Sequence, residues 1–318
     1  MKALVYRRYG GPEVLVLAEV PQPQPREREV LLRVRAASVN AADRVLLRGK
    51  PFLVRRGMGF PRPRNPILGF DVAGHVEAVG SRVKQFHAGE EVFGASKFGA
   101  FAELVCVDEE TLVPKPAGVS FEAAAATPTA AYTALQGLRK GRIAAGQKVL
   151  IDGASGGVGT FAIQIAIAYG ADVTAVCSTR NVEIARALGA SRVIDYRRED
   201  LAREVQRYDL ILAANAYRPL SDYRRLLKPD GAYVMTGGGG AQILQAMLLG
   251  AFVSMTSSRR ISNIMAVAKK QDLVVIRELL ETGKLKPVID RTVALSGVPD
   301  AIRYLEEEHA RGKVVVRF

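Results

Sequence analysis

Val149-Leu150-Ile151-Asp152-Gly153-Ala154-Ser155-Gly156-Gly157-Val158-Gly159 is the stretch on which the fold turns: an apolar run ends in closely spaced glycines and passes into Phe161-Ala162-Ile163-Gln164-Ile165-Ala166. The apolar run reads as a buried strand and the closing segment as a helix. Between them, glycines let the backbone pass close to a pyrophosphate, and the first turn of the helix offers unpaired N–H groups and a positive dipole end. Ala154 stands where the usual Gly-x-Gly-x-x-Gly spacing has its first glycine. The order of strand, glycine turn and helix still points to a bound dinucleotide, with Ser155, Gly156, Gly157 and Val158 as its phosphate cradle.

Downstream, the same alternation continues. Strand-like runs at 148–152, 172–177, 192–195, 209–213 and 233–236 are separated by helical patterns that start near Val158 and Val182. Such alternation predicts an α/β fold with a doubly wound parallel sheet. The end of its second strand carries the cofactor preference, because NAD enzymes place an acid there on the ribose hydroxyls. Here the residues are Cys177-Ser178-Thr179-Arg180-Asn181, with hydroxyls and a cation but no acid. A carboxylate would repel a 2′-phosphate, whereas Arg180 can pair with it and Ser178 or Thr179 can donate a hydrogen bond. NADPH is therefore the expected cofactor. The same residues also suit the start of the helix at Val182, with Glu183 in its first turn, and the two roles are compatible.

Upstream, residues 1–107 read as an irregular β domain. Short β-rich runs at 1–6, 14–20, 30–36, 72–79 and 101–107 are punctuated by Gly10-Gly11-Pro12, Pro21-Gln22-Pro23-Gln24-Pro25 and Pro61-Arg62-Pro63. Residues 122–138 read as one helix. The tail offers helices at 273–282 and 298–309, a strand at 288–293, and a valine-rich strand at 313–318 that needs a sheet to join.

Composition narrows the class. The 318 residues are 48% hydrophobic and 24% charged, ordinary for a folded soluble protein. The most apolar stretches, 123–135 and 160–169, are shorter than the roughly 20 residues of a spanning helix, so no membrane segment is expected. Lys2, Arg7 and Arg8 interrupt the opening strand, which does not read as a secretory signal. Two cysteines in apolar runs, Cys106 and Cys177, suggest core packing in a reducing, cytoplasmic compartment. The net charge of +13 is spread along the chain, with one concentration at Arg48, Lys50, Arg55, Arg56, Arg62 and Arg64. A solvated loop, a phosphate-attracting rim and a nucleic-acid patch all fit that cluster. The loop 52–64 reads equally as a lid over substrate or a solvated connection. His75, His87 and His309 form no catalytic constellation.

The segment Ile67-Leu68-Gly69-Phe70-Asp71-Val72-Ala73-Gly74-His75-Val76-Glu77-Ala78-Val79-Gly80 closely resembles the medium-chain dehydrogenase/reductase superfamily. Zinc alcohol dehydrogenases of that superfamily begin this motif Gly-His-Glu, with the histidine on catalytic zinc; Phe70 takes its place here. The regions 38–43 and 127–132, where the other ligands would be cysteines, contain none. No zinc site is expected from such residues. Further marks are Lys2-Ala3, Ser38-Val39-Asn40 with Asp43, Thr127-Pro128-Thr129-Ala130-Ala131-Tyr132, Ala185-Arg186-Ala187-Leu188-Gly189-Ala190, Val193-Ile194-Asp195-Tyr196 and Gly312-Lys313-Val314-Val315. Together they resemble the zinc-less quinone oxidoreductase group.

That resemblance implies a Rossmann sheet inserted in a GroES-like β-rich domain, with residues 1–119 and 284–318 forming the GroES-like catalytic domain and 120–283 the NADPH-binding domain. It implies Tyr196 near the adenosine, Asn215 beside the nicotinamide ribose, Gly237 and Gly238 under the nicotinamide, and Lys313 among the cofactor-binding residues. Asn40 and Asp43 are the catalytic candidates, positioning substrate or an ordered water. The bland alternative has Asn40 capping a helix and Asp43 exposed. A homodimer is the assembly that the group implies.

Without zinc to polarise an alcohol, acceptors that take hydride readily fit best. Quinones and α,β-unsaturated carbonyls qualify, because conjugation carries the developing charge onto an oxygen that donors can stabilise. No tyrosine follows the Asn40 to Asp43 region, where Gly49-Lys50-Pro51-Phe52 stands, so solvent or a bound water is expected to supply the proton. A second reading is an NADPH-binding, ζ-crystallin-like protein with an RNA-binding role and little turnover. Against it, no RNA-binding motif or aromatic stacking platform is visible, and the chain has no tryptophan.

Overall fold

The computed structural model describes residues 1–238, 242, 258–307 and 310–318; His309 lies outside the described residues. Strands β1 to β7 are Lys2–Val5, Val16–Glu19, Glu29–Val39, Asp71–Val79, Glu91–Ala95, Leu104–Asp108 and Leu112–Pro114. Strands β8 to β13 are Lys148–Asp152, Asp172–Cys177, Arg192–Asp195, Tyr208–Ala213, Leu227–Met235 and Arg260–Asn263. Ile289–Ala294 and Lys313–Arg317 are β14 and β15. Two compact units result: one takes Met1–Thr129, Ala268–Glu281 and Pro287–Phe318, the other Ala130–Val267 and Thr282–Lys286.

In the first unit, β3 is the organising strand. Its 11 residues alternate enough to bury Val30, Leu32 and Val34 on the core face, with Leu4, Phe101 and Val316 packed around them. It lies between β15 and β4 in the sheet order β14-β15-β3-β4-β5-β7, and β6 pairs with it as well. The pairings β15/β3 and β3/β4 are antiparallel, with Ser38 opposite Val315 on one side and Asp71 on the other. The valine-rich C-terminal strand thus finds its sheet beside β3. Directly after β3 the chain enters the helix Ala41–Arg48, which Gly49 ends in a left-handed conformation at φ 57°.

The second unit holds six strands in the order β10-β9-β8-β11-β12-β13, every pair parallel. The chain order reverses between β8 and β11, the topological switch point at which doubly wound sheets open a crevice for ligands. Leu150, Val176, Ile194, Tyr208, Ile211 and Tyr233 are among the residues that fill its core. Residues 159–166 of the helix Gly157–Ala168 are all buried, which explains an apolar sequence without a polar face.

Several local expectations change in the structure. The single helix at 122–138 is two, Phe121–Ala125 and Pro128–Lys140, because Pro128 has no N–H to give and its ring biases the preceding residue away from helix. Of the strand at 14–20, only Val16–Glu19 pairs, behind a 3-10 turn at Pro12–Val14. The helix Lys270–Glu281, expected with the cofactor domain, packs in the first unit: Lys270 Nζ donates to the carbonyls of Glu109 at 3.1 Å and Leu112 at 2.5 Å. The division between units follows Thr129 rather than residue 119. Among the described residues, no helix is long and apolar enough to cross a membrane.

Gly159 fixes how closely the helix Gly157–Ala168 seats on the turn after β8. A Cβ there would lie 2.2 Å from the Gly153 carbonyl oxygen and 2.6 Å from the Ala154 Cα, both backbone atoms that cannot swing aside. At Gly156 the only neighbour is the Gly153 oxygen, at 3.6 Å. In urea unfolding, Gly159→Ala is expected to cost about 1–3 kcal/mol, and Gly156→Ala less than about 1 kcal/mol; equal losses would contradict this packing.

Candidate active site

The residues expected on the cofactor stand at the carboxyl ends of the parallel strands of the second unit. Ser155, Gly156, Gly157 and Val158 follow β8 and are half-buried, with Gly156 at the N-cap of the helix Gly157–Ala168. Gly153 turns the chain at φ 79°, where an added Cβ would lie 2.8 Å from the Asn215 Cβ. Asn215 follows β11, and Gly237 and Gly238 follow β12; the Ala216 N–H donates to the Gly237 carbonyl, and a parallel bridge joins Ala216 to Gly238. The glycine turn is anchored from below by Asp152, 8% exposed, whose carboxylate accepts from the Tyr223 hydroxyl at 2.5 Å and from the Gly153 N–H. Burial raises this carboxyl above the ordinary range, and the two hydrogen bonds oppose the rise.

Ser178 and Arg180 follow β9, and Tyr196 follows β10, where its N–H donates to the Cys177 carbonyl. Ser178 is buried and its hydroxyl accepts from Asn181 Nδ2 at 3.1 Å, which leaves its own O–H free to donate. Asn181 Oδ1 is buried with no partner among the described residues. Arg180 and Tyr196 are exposed. Asp195, at the end of the neighbouring β10, is engaged by the Thr179 hydroxyl and the Arg197 N–H, which hold its carboxyl below the ordinary range. Thr179, Glu183, Arg186, Asp195, Arg198 and Glu199 border a recess beside it. A cradle open in front of Gly156, with a hydroxyl, a guanidinium and an orphaned amide oxygen one strand over, fits a dinucleotide carrying a 2′-phosphate.

Asn40, Asp43 and Lys313 belong to the first unit and share one buried polar cluster. Its hub is Asp71, at the start of β4 and 0% exposed. One carboxylate oxygen accepts from Ser38 Oγ at 2.8 Å, Asn40 Nδ2 at 3.0 Å and Lys313 Nζ at 3.2 Å. The other accepts the Thr129 N–H at 2.8 Å and the Thr129 hydroxyl at 2.5 Å. Lys313 Nζ also donates to Asn40 Oδ1 at 2.5 Å, and Asn40 Nδ2 reaches the Ser38 carbonyl at 3.3 Å. The Asn40 amide is thus oriented without ambiguity, its oxygen toward the lysine and its nitrogen toward the carboxylate. Lys313, expected among the cofactor-binding residues, is placed in this cluster because β15 lies beside β3 in the register that sets it next to Asn40.

Asp43 is fully buried rather than exposed, since both its oxygens accept backbone N–H groups: Asn40 at 2.7 Å and Gly69 at 3.0 Å. It thereby ties the start of the helix Ala41–Arg48 to the turn before β4. Burial pushes its carboxyl up to about 7 against the pull of those two N–H groups, with the Asp71 charge adding to the rise and the Lys313 charge opposing it.

The zinc question can be put to these donors directly. The Asp71 oxygens already meet five donors and those of Asp43 meet two, so neither carboxylate offers a free face to a metal. Among the described residues, no group of three His, Cys, Asp or Glu is arranged to hold one. The cation at this centre is the lysine's own. Sequence reasoning singled out Asn40, Asp43 and Lys313 but missed Asp71, Ser38 and Thr129 as their partners, although all three lie within the quoted motifs.

Comparison with known proteins gives the family. The alcohol dehydrogenase GroES-like domain family matches residues 26–117, and the zinc-binding dehydrogenase family matches residues 188–316. The chloroplastic NADPH-dependent alkenal/one oxidoreductase of Arabidopsis thaliana is 36% identical over 99% of this chain and 79% of its own length. The chloroplast envelope quinone oxidoreductase homolog of the same plant is 34% identical over 99% of this chain and 98% of its own. The solved structure of the quinone oxidoreductase from Coxiella burnetii superposes with a TM-score of 0.89 at 31% identity, covering 100% of this chain and 99% of that one.

Asp43 gives the fold a pH signature. Unfolded, its carboxyl titrates near 3.8; folded, it is raised to about 7. Its contribution is complete below the unfolded value and is lost as pH rises through the folded one. Between about pH 4 and 7 the wild type is expected to lose stability that Asp43→Asn does not lose, although this variant is less stable overall by about 1–3 kcal/mol because one buried N–H loses its acceptor. Urea midpoints across that pH range check both; parallel profiles for the two proteins would contradict the assignment.

Proposed function

The chain belongs to the zinc-less quinone oxidoreductase group of the medium-chain dehydrogenase/reductase superfamily, and from that premise we propose that it reduces quinones or α,β-unsaturated carbonyl compounds with NADPH. The protein is an oxidoreductase, and its cofactor is NADPH. The observation that carries the cofactor reading is the end of β9, where Ser178 and Arg180 stand in place of an acid and the neighbouring Asp195 is already engaged. Names of relatives support the acceptor class: an alkenal/one oxidoreductase and a quinone oxidoreductase homolog. Nothing in those names supports the RNA-binding alternative.

When bound, NADPH supplies the hydride. The chain's part is to hold, orient and polarise. Ser155, Gly156, Gly157 and Val158 receive the pyrophosphate on backbone N–H groups. Ser178 and Arg180 take the 2′-phosphate, Tyr196 flanks the adenosine, and Asn215 with Gly237 and Gly238 borders the nicotinamide end. In the first unit, Asp43 acts as a positioning residue through the Asn40 and Gly69 N–H groups, and Asn40 orients the charged cluster. Simple alcohols have no low-energy oxygen anion to form without a metal, whereas a conjugated acceptor does. The compartment we propose is the cytoplasm, supported by the free thiols Cys106 and Cys177, both held up to about 11 by burial. The proposed assembly is a homodimer, supported by the resemblance to the group.

Turnover of NADPH and NADH with a panel of quinones, 2-alkenals and enones tests the reading. The wild type is expected to prefer NADPH. Arg180→Ala should raise the KM for NADPH about 10- to 100-fold, the worth of one charge-assisted hydrogen bond, while leaving NADH use within about twofold. A KM rise shared equally by both cofactors would remove the 2′-phosphate assignment.

A further inference from the structure

At the end of β9 two hydroxyls and one amide stand together, and their hydrogen bonds leave them with different roles. Thr179 donates its hydroxyl to the Asp195 carboxylate, so of the two hydroxyls offered to a 2′-phosphate only that of Ser178 keeps its proton for one. The 3-10 turn Thr179–Asn181 sets Asn181 over Ser178, because residues three apart eclipse in such a turn. Asn181 therefore grips Ser178 twice: its backbone N–H donates to the Ser178 carbonyl at 2.9 Å and its Nδ2 to the Ser178 hydroxyl oxygen at 3.1 Å. Both residues are buried, Ser178 at 6% and Asn181 at 1% exposure. The other end of the amide, Asn181 Oδ1, meets no partner among the described residues. Packing alone would be served better by an apolar residue of the same size, since a buried oxygen without a donor costs stability. What sets asparagine apart at this position is the donor it gives to Ser178.

We propose that Asn181 is a specificity-determining residue for NADPH over NADH: by donating to the Ser178 hydroxyl oxygen it commits the Ser178 proton to the 2′-phosphate. This rests on the 2′-phosphate reading of Ser178 and Arg180 and deepens it. A hydroxyl has one proton and two lone pairs. A neighbour that donates to it leaves the proton for another acceptor, whereas a neighbour that accepts takes the proton and turns lone pairs toward the phosphate charge. Asn181 is thus a positioning residue, acting through Ser178. NADH carries a ribose hydroxyl where NADPH carries the phosphate, and that hydroxyl can either donate or accept. The orientation of Ser178 therefore matters to NADPH and little to NADH.

The surrounding groups leave that proton uncontested. Asp195 pairs in register with Cys177 at the end of the adjacent strand, and its carboxylate is occupied by the Thr179 hydroxyl and the Arg197 N–H, with Arg198 Nε at 3.7 Å. Aspartate at position 181 would reverse the arrangement: it has the shape of asparagine but only acceptors when ionised, so it would take the Ser178 proton and place a negative charge beside the phosphate. Leucine, of similar size, removes both ends of the amide and leaves the hydroxyl to rotate. It also removes the orphaned oxygen, so the fold is expected to tolerate it.

The test titrates NADPH and NADH by nucleotide fluorescence, with no quinone or enone present, against wild type, Ser178→Ala, Asn181→Leu, Asn181→Asp, the two double variants and Arg180→Ala. Ser178→Ala should weaken NADPH binding about 10- to 100-fold, the worth of a hydrogen bond to a charged group. Asn181→Leu should weaken it about 3- to 10-fold, the worth of one neutral hydrogen bond, and Asn181→Asp at least as much as Ser178→Ala. NADH affinity should stay within about twofold in every Ser178 and Asn181 variant, which also shows that each is folded. With Ser178→Ala already in place, Asn181→Leu should add no further loss, and Asn181→Asp should add only the part that is plain charge repulsion. The proposal is overturned if Asn181→Leu weakens NADPH equally with and without Ser178, if NADPH and NADH lose affinity together, or if both Asn181 variants bind NADPH as wild type does. Should leucine fail to fold, the isosteric aspartate carries the same comparison. Arg180→Ala that keeps the NADPH preference intact would remove the 2′-phosphate reading itself; Arg180→Ala that abolishes it beside an unaffected Ser178→Ala would sink only the proposal.

Discussion

The first unit is arranged around a carboxylate that has no contact with water. Asp71 is tolerable in that position only because five donors converge on it, one of them a full positive charge. The donors come from three separate stretches of chain: Ser38 and Asn40 from the end of β3, Lys313 from β15, and the Thr129 N–H and hydroxyl from the start of the helix Pro128–Lys140. Satisfying Asp71 therefore fixes the register of three neighbouring strands. A one-residue slip of β15 against β3 would point Lys313 to the opposite face and leave the carboxylate uncompensated. The same requirement orients the Asn40 amide, and Asp43 then closes the adjoining turn by holding the Asn40 and Gly69 N–H groups.

The second unit solves a different problem. Its sheet must present backbone N–H groups at the switch point between β8 and β11, so the chain there is nearly free of side chains: Gly153 passes against Asn215, and Gly159 sits on the Gly153 carbonyl. Loss of side chains at a turn removes packing, and the buried Asp152 with Tyr223 restores rigidity underneath. The cradle is thus stiff without being filled, which is what a phosphate site needs if ordering the loop is not to consume binding energy.

These two constructions differ in how much the sequence discloses. The cradle is local: strand, turn and helix lie within about twenty residues, so Gly153 to Gly159 and Ser178 to Arg180 can be read from spacing alone. The cluster is not. Lys313 and Asn40 are 273 residues apart in the chain, and nothing short of the β15-β3-β4 order brings them together. Family resemblance marked Asn40, Asp43 and Lys313 but not their meeting at Asp71, because a residue's motif does not say which neighbours its strand will have. The burial of Asp43 was equally hidden: an acid in the first turn of a short helix is ordinarily exposed, and its two backbone donors become visible only when Gly69 folds beside it.

The contrast with a metal centre follows from the donor chemistry. Zinc lowers the energy of an alkoxide by direct coordination and so serves simple alcohols. A lysine ammonium carries one charge, keeps its protons on strongly oriented N–H bonds and cannot coordinate an oxygen lone pair as a Lewis acid does. What it can stabilise is an anion already spread by conjugation, whose oxygen needs only a donor and a nearby positive charge. With Phe70 in place of the histidine and no cysteine at 38–43 or 127–132, the first unit holds the buried pair of Asp71 and Lys313 rather than a set of zinc ligands.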